Sequence, residues 1–223
     1  MSRRKRRLAL LLGLIVLPVV IATLPAAAAS LPVSARTLTV SNRTYGAPQT
    51  CTLTATADSY VARELAGSNF GTATSLQVSP DAVATRRLFA RFDLTGCSPS
   101  IPSDAIVQSA KVRLTVSALA AATRTYELRA ASAVWVETSM TWTNQPSVSS
   151  TVTGSATVTV GTLAGTVVEW TATSDVQAFA TGASSNSGWR IGDASEGGIG
   201  TPLLFGSREA SSGKPQLTIT YLP

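Results

Sequence analysis

Trp135, Arg190, Arg208 and Lys214 are the side chains whose types and positions suit ligand recognition. An indole face packs against the apolar C–H face of a sugar ring, and a guanidinium grips a carboxylate through two parallel hydrogen bonds. Trp135 has the opposite parity to Val134 and Val136, which singles it out from two aliphatic neighbours. Trp142, Trp170 and Trp189 read as core fillers or loop pins. Arg190 opposes Trp189 and Ile191 in parity, and Arg208 opposes Leu203 and Phe205. If the strands that carry them are neighbours, Arg190, Arg208 and Lys214 line one basic patch suited to an acidic partner. The other reading of Arg208 is a structural network with Glu209 that fixes its loop. Asp58, Asp193 and Glu196 fall in loop-compatible positions, and their carboxylates are candidate ligands for a structural Ca²⁺, a hard cation that takes oxygen donors.

The composition removes other chemistry. The chain has no histidine, so Ser-His-Asp and Cys-His nucleophilic catalysis and His-ligated zinc are excluded. No phosphate-binding glycine loop or dinucleotide fingerprint is present. The 12 acidic residues include enough carboxylates for a glycosidase pair, but in a β-rich chain they are expected in turns and ion pairs. The chain is therefore expected not to be an enzyme. Its net charge is +6 from 18 basic and 12 acidic residues. Five of the basic residues lie at positions 3–7, which leaves 13 against 12 in the remainder. The positive balance thus says nothing about nucleic acid, and no nucleic-acid partner is expected.

Those five residues open a secretory signal over residues 1–29. Arg3 to Arg7 form the basic n-region, Leu8 to Leu24 the apolar segment, and Pro25 to Ala29 the small-residue cleavage region. The alternative is a membrane anchor, since the apolar segment sits at the lower edge of spanning length. Cleavage would leave a secreted, extracellular chain with no membrane association. Cys51 and Cys97 are then expected to form a disulfide, with two buried thiols as the alternative.

The rest of the chain reads as short strands separated by Gly, Pro, Ser and Asn, an all-β sandwich of antiparallel strands. Leu217, Ile219 and Tyr221 alternate with Gln216, Thr218 and Thr220, and Val112, Leu114 and Val116 with Lys111, Arg113 and Thr115. Leu88 and Ala90 alternate with Arg87, Phe89 and Arg91, and Arg87, Arg91 and Asp93 read as a charge ladder on a solvated face. Val158 with Val160 and Val168 with Trp170 mark further strands. One short helix is expected: Thr173, Ser174 or Asp175 caps it, Val176, Phe179 and Ala180 form its apolar stripe, and Gly182 ends it. Residues 30–50 read as a leader or edge segment with one strand at Arg36–Val40, and the domain as 51–222.

Seven elements occur in an order that is informative together. They are Ala57-Asp58-Ser59-Tyr60-Val61, Asn69-Phe70-Gly71-Thr72, Leu88 to Leu94, Trp135-Val136-Glu137, Thr141-Trp142-Thr143-Asn144-Gln145-Pro146, Trp170 to Gly182, and Phe205-Gly206-Ser207-Arg208-Glu209. In this series the chain resembles the DNRLRE domain, also classed as carbohydrate-binding module family 96 and related to the disaggregatase domain. The basic signal and the cysteine pair resemble actinobacterial secreted proteins. Thr143 departs from the second Asn usual in the family. The resemblance implies a jelly-roll-like sandwich, secretion, and non-catalytic binding of polysaccharide, with acidic, alginate-like glycans known for some members. Family members often carry the module beside a catalytic or repeat domain, whereas this chain is expected to hold the module alone. A structural or adhesive cell-surface protein is the alternative from a different class, and a polysaccharide-degrading enzyme the third.

Overall fold

The structure is a computed structural model and describes residues 44–223. The expected signal peptide at 1–29 and the strand at Arg36–Val40 lie outside the described residues. In chain order the elements are β1 (Gln49–Thr54), β2 (Ala57–Ala62), β3 (Ser75–Val78), β4 (Arg86–Arg91), β5 (Ile106–Thr115), β6 (Arg124–Ala130), β7 (Gly154–Val158), β8 (Val167–Thr171), α1 (Thr173–Ala180), β9 (Trp189–Asp193), β10 (Leu203–Gly206) and β11 (Gln216–Leu222). Among the described residues, strand pairing begins at Gln49, two residues before the boundary read from the sequence.

The strands form two antiparallel sheets and a ribbon. The first sheet has the order β1-β11-β5-β8 and the second β2-β4-β9-β6-β7, while β10 pairs with β3 alone. A bridge between Val116 and Phe205 ties the ribbon to the end of β5. Period-two alternation explains the layering, because every second side chain must leave water for the sandwich to close. Leu217, Ile219, Tyr221, Val112, Leu114 and Trp170 from the first sheet meet Leu88, Ala90, Leu128, Trp189 and Ile191 from the second in one core. Each such aliphatic side chain contributes about 1.5–3 kcal/mol relative to exposure. Trp170 is fully buried, and its Nε1 donates to the Tyr126 carbonyl at 2.9 Å. Trp189 is also buried and donates to Asp175 Oδ2 at 2.8 Å, so neither indole leaves its polar edge unpaired.

The helix lies where the sequence places it, but no side chain caps its start. The N-cap is Ala172, and Thr173 instead accepts the Ala110 N–H through Oγ1 at 3.0 Å. Asp175 Oδ2 is engaged by Thr153 and Trp189. Gln177 joins the helix to the start of β5, accepting from Val107 N–H at 2.7 Å and donating to Ala105 O at 3.0 Å. Gly182, with φ +72°, turns the chain away beyond the last turn. Val160 falls beyond β7 and is 62 % exposed, because the chain turns before the alternation reaches it. The disulfide Cys51–Cys97 closes a separation of 46 residues.

Candidate functional site

The outer face of the second sheet carries most of the arginines that the sequence points outward. Arg87 and Arg91 come from β4, Arg190 from β9, and Glu127 and Arg129 from β6. The loop of residues 131–150 covers the β2–β4 half of this face. It does so because Ala57, Val61 and Phe89 are apolar on the side that would otherwise face water; Trp135, Met140 and Ala131 close over them. Trp135 is only 5 % exposed, its ring meets Phe89 edge-on at 5.9 Å, and its Nε1 donates to Ser187 O at 2.9 Å. The expected sugar platform is thus a loop anchor. The parity was right and the direction reversed: Val134 and Val136, at 68 % and 60 % exposed, are the residues that face solvent.

The expected charge ladder does not form. Arg87 Nε donates to Glu196 Oε1 at 2.9 Å, and its guanidinium carbon lies 4.6 Å from the centre of the half-buried Trp142 ring. Arg91 lies over the Trp135 ring at 5.5 Å and donates to the Trp135 carbonyl. Asp93 caps a short turn by accepting from Thr95.

Arg190 is the exception among these cations. It stands directly opposite Arg129 across the β6–β9 pair and opposite Phe89 across the β4–β9 pair. Arg129 is held by Glu127 at 2.7 Å and by the carbonyls of Ser149 and Ser150. Arg190 Nε is buried and has no hydrogen-bond partner. Burial, and then the positive charge of Arg87, hold its pKa below the ordinary arginine value. Gly192 sits against both groups: a Cβ there would lie 3.1 Å from Glu196 Oε1 and 3.5 Å from Arg190 Nε. Four arginines on this face meet two glutamates, so the face is cationic.

The expected patch of Arg190, Arg208 and Lys214 is not one surface. β9 lies between β4 and β6 in the second sheet, and β10 pairs with β3, so the strands assumed to be neighbours are in different assemblies. Arg208 and Lys214 do come together, lining a recess of about 320 Å³ with Thr54, Ala55 and Thr56. Arg208, however, is engaged by Glu137 at 3.0 Å, Glu209 at 3.1 Å and the Thr56 carbonyl at 3.0 Å. This is the structural network anticipated as the alternative for Arg208.

The calcium trio does not converge either. Asp193 is paired with Arg124, with Nη2 to Oδ1 at 3.1 Å, and Glu196 with Arg87. Asp58 instead meets Glu137 and Glu209, neither of which the sequence reading took as a metal ligand. One carboxylate oxygen from each of the three lies within 4.8 Å of the others, and among the described residues this is the one acidic group with cation-binding spacing. Asp58 is 1 % exposed. Its Oδ2 accepts the Arg208 N–H at 2.8 Å, and its own N–H donates to Glu137 Oε1 at 2.8 Å. Burial drives its carboxyl up from 3.8 to about 7, against the lowering effect of the Arg208 N–H. Asn69 Nδ2 completes the fastening by donating to the carbonyls of Glu137 and Met140 at 2.7 and 2.8 Å. The elements spelled out in the sequence series thus meet here: they secure the loop, while the cationic face is built from residues mostly outside them.

The sequence model of carbohydrate-binding module family 96 matches residues 49–221. No curated protein matches the chain.

Proposed function

We propose that this chain, which belongs to carbohydrate-binding module family 96, is a secreted, non-catalytic module that binds an acidic polysaccharide on the outer face of its second sheet. The observation that carries this reading is Arg190. Like charges directly opposite one another in a sheet are destabilising, and a buried donor left unpaired costs about 1–3 kcal/mol. Arg190 has both features, facing Arg129 with its Nε unsatisfied. A uronate carboxylate on the outer part of the guanidinium offsets the like charge, because a guanidinium receives it through paired, charge-assisted hydrogen bonds. The half-buried Trp142 beside Arg87 offers apolar surface at the border of the same face. The disulfide supports an oxidising, extracellular setting, and among the described residues no helix is long and apolar enough to cross a membrane.

The test is binding of residues 30–223 to matched neutral and uronic-acid polysaccharides at several salt concentrations. Saturable binding to the acidic set, weakened by salt and by about tenfold or more in Arg190→Ala, is expected. An electrostatic contact of about 1.4 kcal/mol corresponds to that factor. Equal binding by Arg190→Ala would remove the site. No binding to any glycan would favour the structural or adhesive reading. Release of reducing ends or unsaturated sugars during incubation would replace the module reading with an enzymatic one.

A further inference from the structure

Arg87, Arg129 and Arg190 share the outer face of the second sheet, and two of the three forks are already closed. Arg87 commits Nε and Nη2 to the two oxygens of Glu196, and its Nη1 donates to Gln145 Oε1 at 3.3 Å. Arg129 gives Nε and Nη2 to Glu127 Oε2 at 3.0 and 2.7 Å, and Nη1 to the carbonyls of Ser149 and Ser150. The Arg190 side chain has no hydrogen bond or ion pair among the described residues. Arg91, the fourth arginine, is turned to the Trp135 ring and to a recess that it shares with Asp93.

The two glutamates flank the open fork. Glu127 stands opposite Gly192 on β6, diagonal to Arg190 across the β6–β9 pair, a separation of about 7–8 Å that long side chains can bridge. Glu196 is held by Arg87 of β4, the strand on the other side of β9. A Cβ on Gly192 would lie 3.1 Å from Glu196 Oε1 and 3.6 Å from Arg190 Nη2. Arg190 and both glutamates thus border one residue that has no side chain. Three cations meet two anions in this group, so it lacks one negative charge.

We propose that this site takes one isolated carboxylate and that Glu127 and Glu196 exclude a second, so that the ligand is a largely neutral polysaccharide with spaced uronates rather than a continuous polyuronate. The inference rests on the reading of Arg190 given above and narrows it. One carboxylate on the outer nitrogens of Arg190 occupies the open fork and completes the charge balance. A second carboxylate on the next ring finds no open fork and meets Glu127 or Glu196, and like charges brought together at an interface cost affinity. To reach Arg87 or Arg129 it must displace a glutamate already bound there, which exchanges one carboxylate for another and gains no net charge pairing. A neutral ring or a methyl ester in that place carries no such penalty.

Titration calorimetry of the purified chain with oligogalacturonates of a single length tests the limit. One oligomer carries a lone free acid among methyl esters, the other free acids throughout. The wild type should bind the singly charged oligomer about fivefold tighter, the upper value for a partly exposed charge pair, although the fully acidic one offers more carboxylates. Glu127→Gln and Glu196→Gln each open a second fork and should reverse that order. Their affinity for the fully acidic oligomer should also fall more steeply with salt, because each further contact releases counterions from a polyanion. Arg190→Ala should bind neither oligomer. Tighter binding of the fully acidic oligomer by the wild type overturns the inference; if Arg190→Ala abolishes that binding, the reading of the face stands without it. An unchanged order in both glutamine variants also overturns the inference, and if those variants fail to fold the wild-type comparison decides alone. Binding of neither oligomer by the wild type, or equal binding by Arg190→Ala, overturns it as well, and the second result removes the reading of the face too.

Discussion

Global stability as a function of pH isolates Asp58. The carboxyl lies at 3.8 in the unfolded chain and at about 7 in the fold. The native state therefore keeps a proton that the unfolded state releases. Stability from this group is fully present below 3.8, declines as pH rises, and is lost once pH has passed 7. A shift of about three units at 1.36 kcal/mol each gives a decline of about 4 kcal/mol across that window. Asp81, Asp93 and Glu169 are shifted the other way, held low by hydrogen bonds from Val83, Thr95 and Lys111. Their contributions vanish only in acid, below the ordinary carboxylate range, so they do not overlap with the Asp58 slope. Urea unfolding midpoints should fall from pH 5 to 7 and flatten by pH 8 for the wild type, and stay level throughout for Asp58→Asn. At pH 8 the variant should be the more stable protein. A level wild-type curve, or two parallel curves, would show that the carboxyl is not held protonated by the fold.

Two other perturbations test how the loop and the chain entry are secured. A Cβ on Gly71 would lie 2.3 Å from the Glu137 carbonyl oxygen and 2.8 Å from its carbonyl carbon, so Gly71→Ala should push the loop off β2. The expected cost is about 1–3 kcal/mol, as for overpacking elsewhere, with a rise in Trp135 solvent quenching; unchanged stability and fluorescence would refute the close approach. Replacing Cys51 and Cys97 together by Ala should lower unfolding free energy by about 4 kcal/mol, the chain-entropy value for a 46-residue separation. A double variant as stable as the parent would count against that account.

Regular alternation was the part of the fold most legible from the sequence. β11 keeps strict period two over a sandwich face, as does β5 from Ala110 to Thr115, beyond the irregularity between Val107 and Ala110, and α1 shows its stripe and stop residue. The pairing partners were not legible, because strand order depends on contacts far apart in the chain. Arg190 and Arg208 share the same parity argument, yet β9 and β10 join different partners. Trp135 shows a related limit. Parity separates it from Val134 and Val136 but does not say which side is solvent; that is decided by Phe89 and Val61, apolar residues on the far side of a strand whose other face is already in the core. Asp58 and Glu137 are 79 residues apart and Asp58 and Arg208 150 apart, so no local spacing reveals their cluster. The available signal was that all three acidic members lie inside the ordered series of elements. Arg129, opposite Arg190, lies outside that series and left only an outward parity to notice.

The pairing of β1 with β11 bears on how the module answers to mechanical load. Gln49 pairs with Tyr221, and Gly46 donates to the Pro223 carbonyl, so the chain enters and leaves the domain side by side. Tension between those two points does not shear the strands along their length. It opens them like a zip, loading one backbone pair at a time, with the Gly46–Pro223 bond first and Gln49–Tyr221 next. On the entry side only Gln49 and Thr50 can peel before the pull reaches Cys51, where the covalent link to Cys97 takes the force. On that side the peel is therefore checked two residues in, and the load passes to the segment that follows β4.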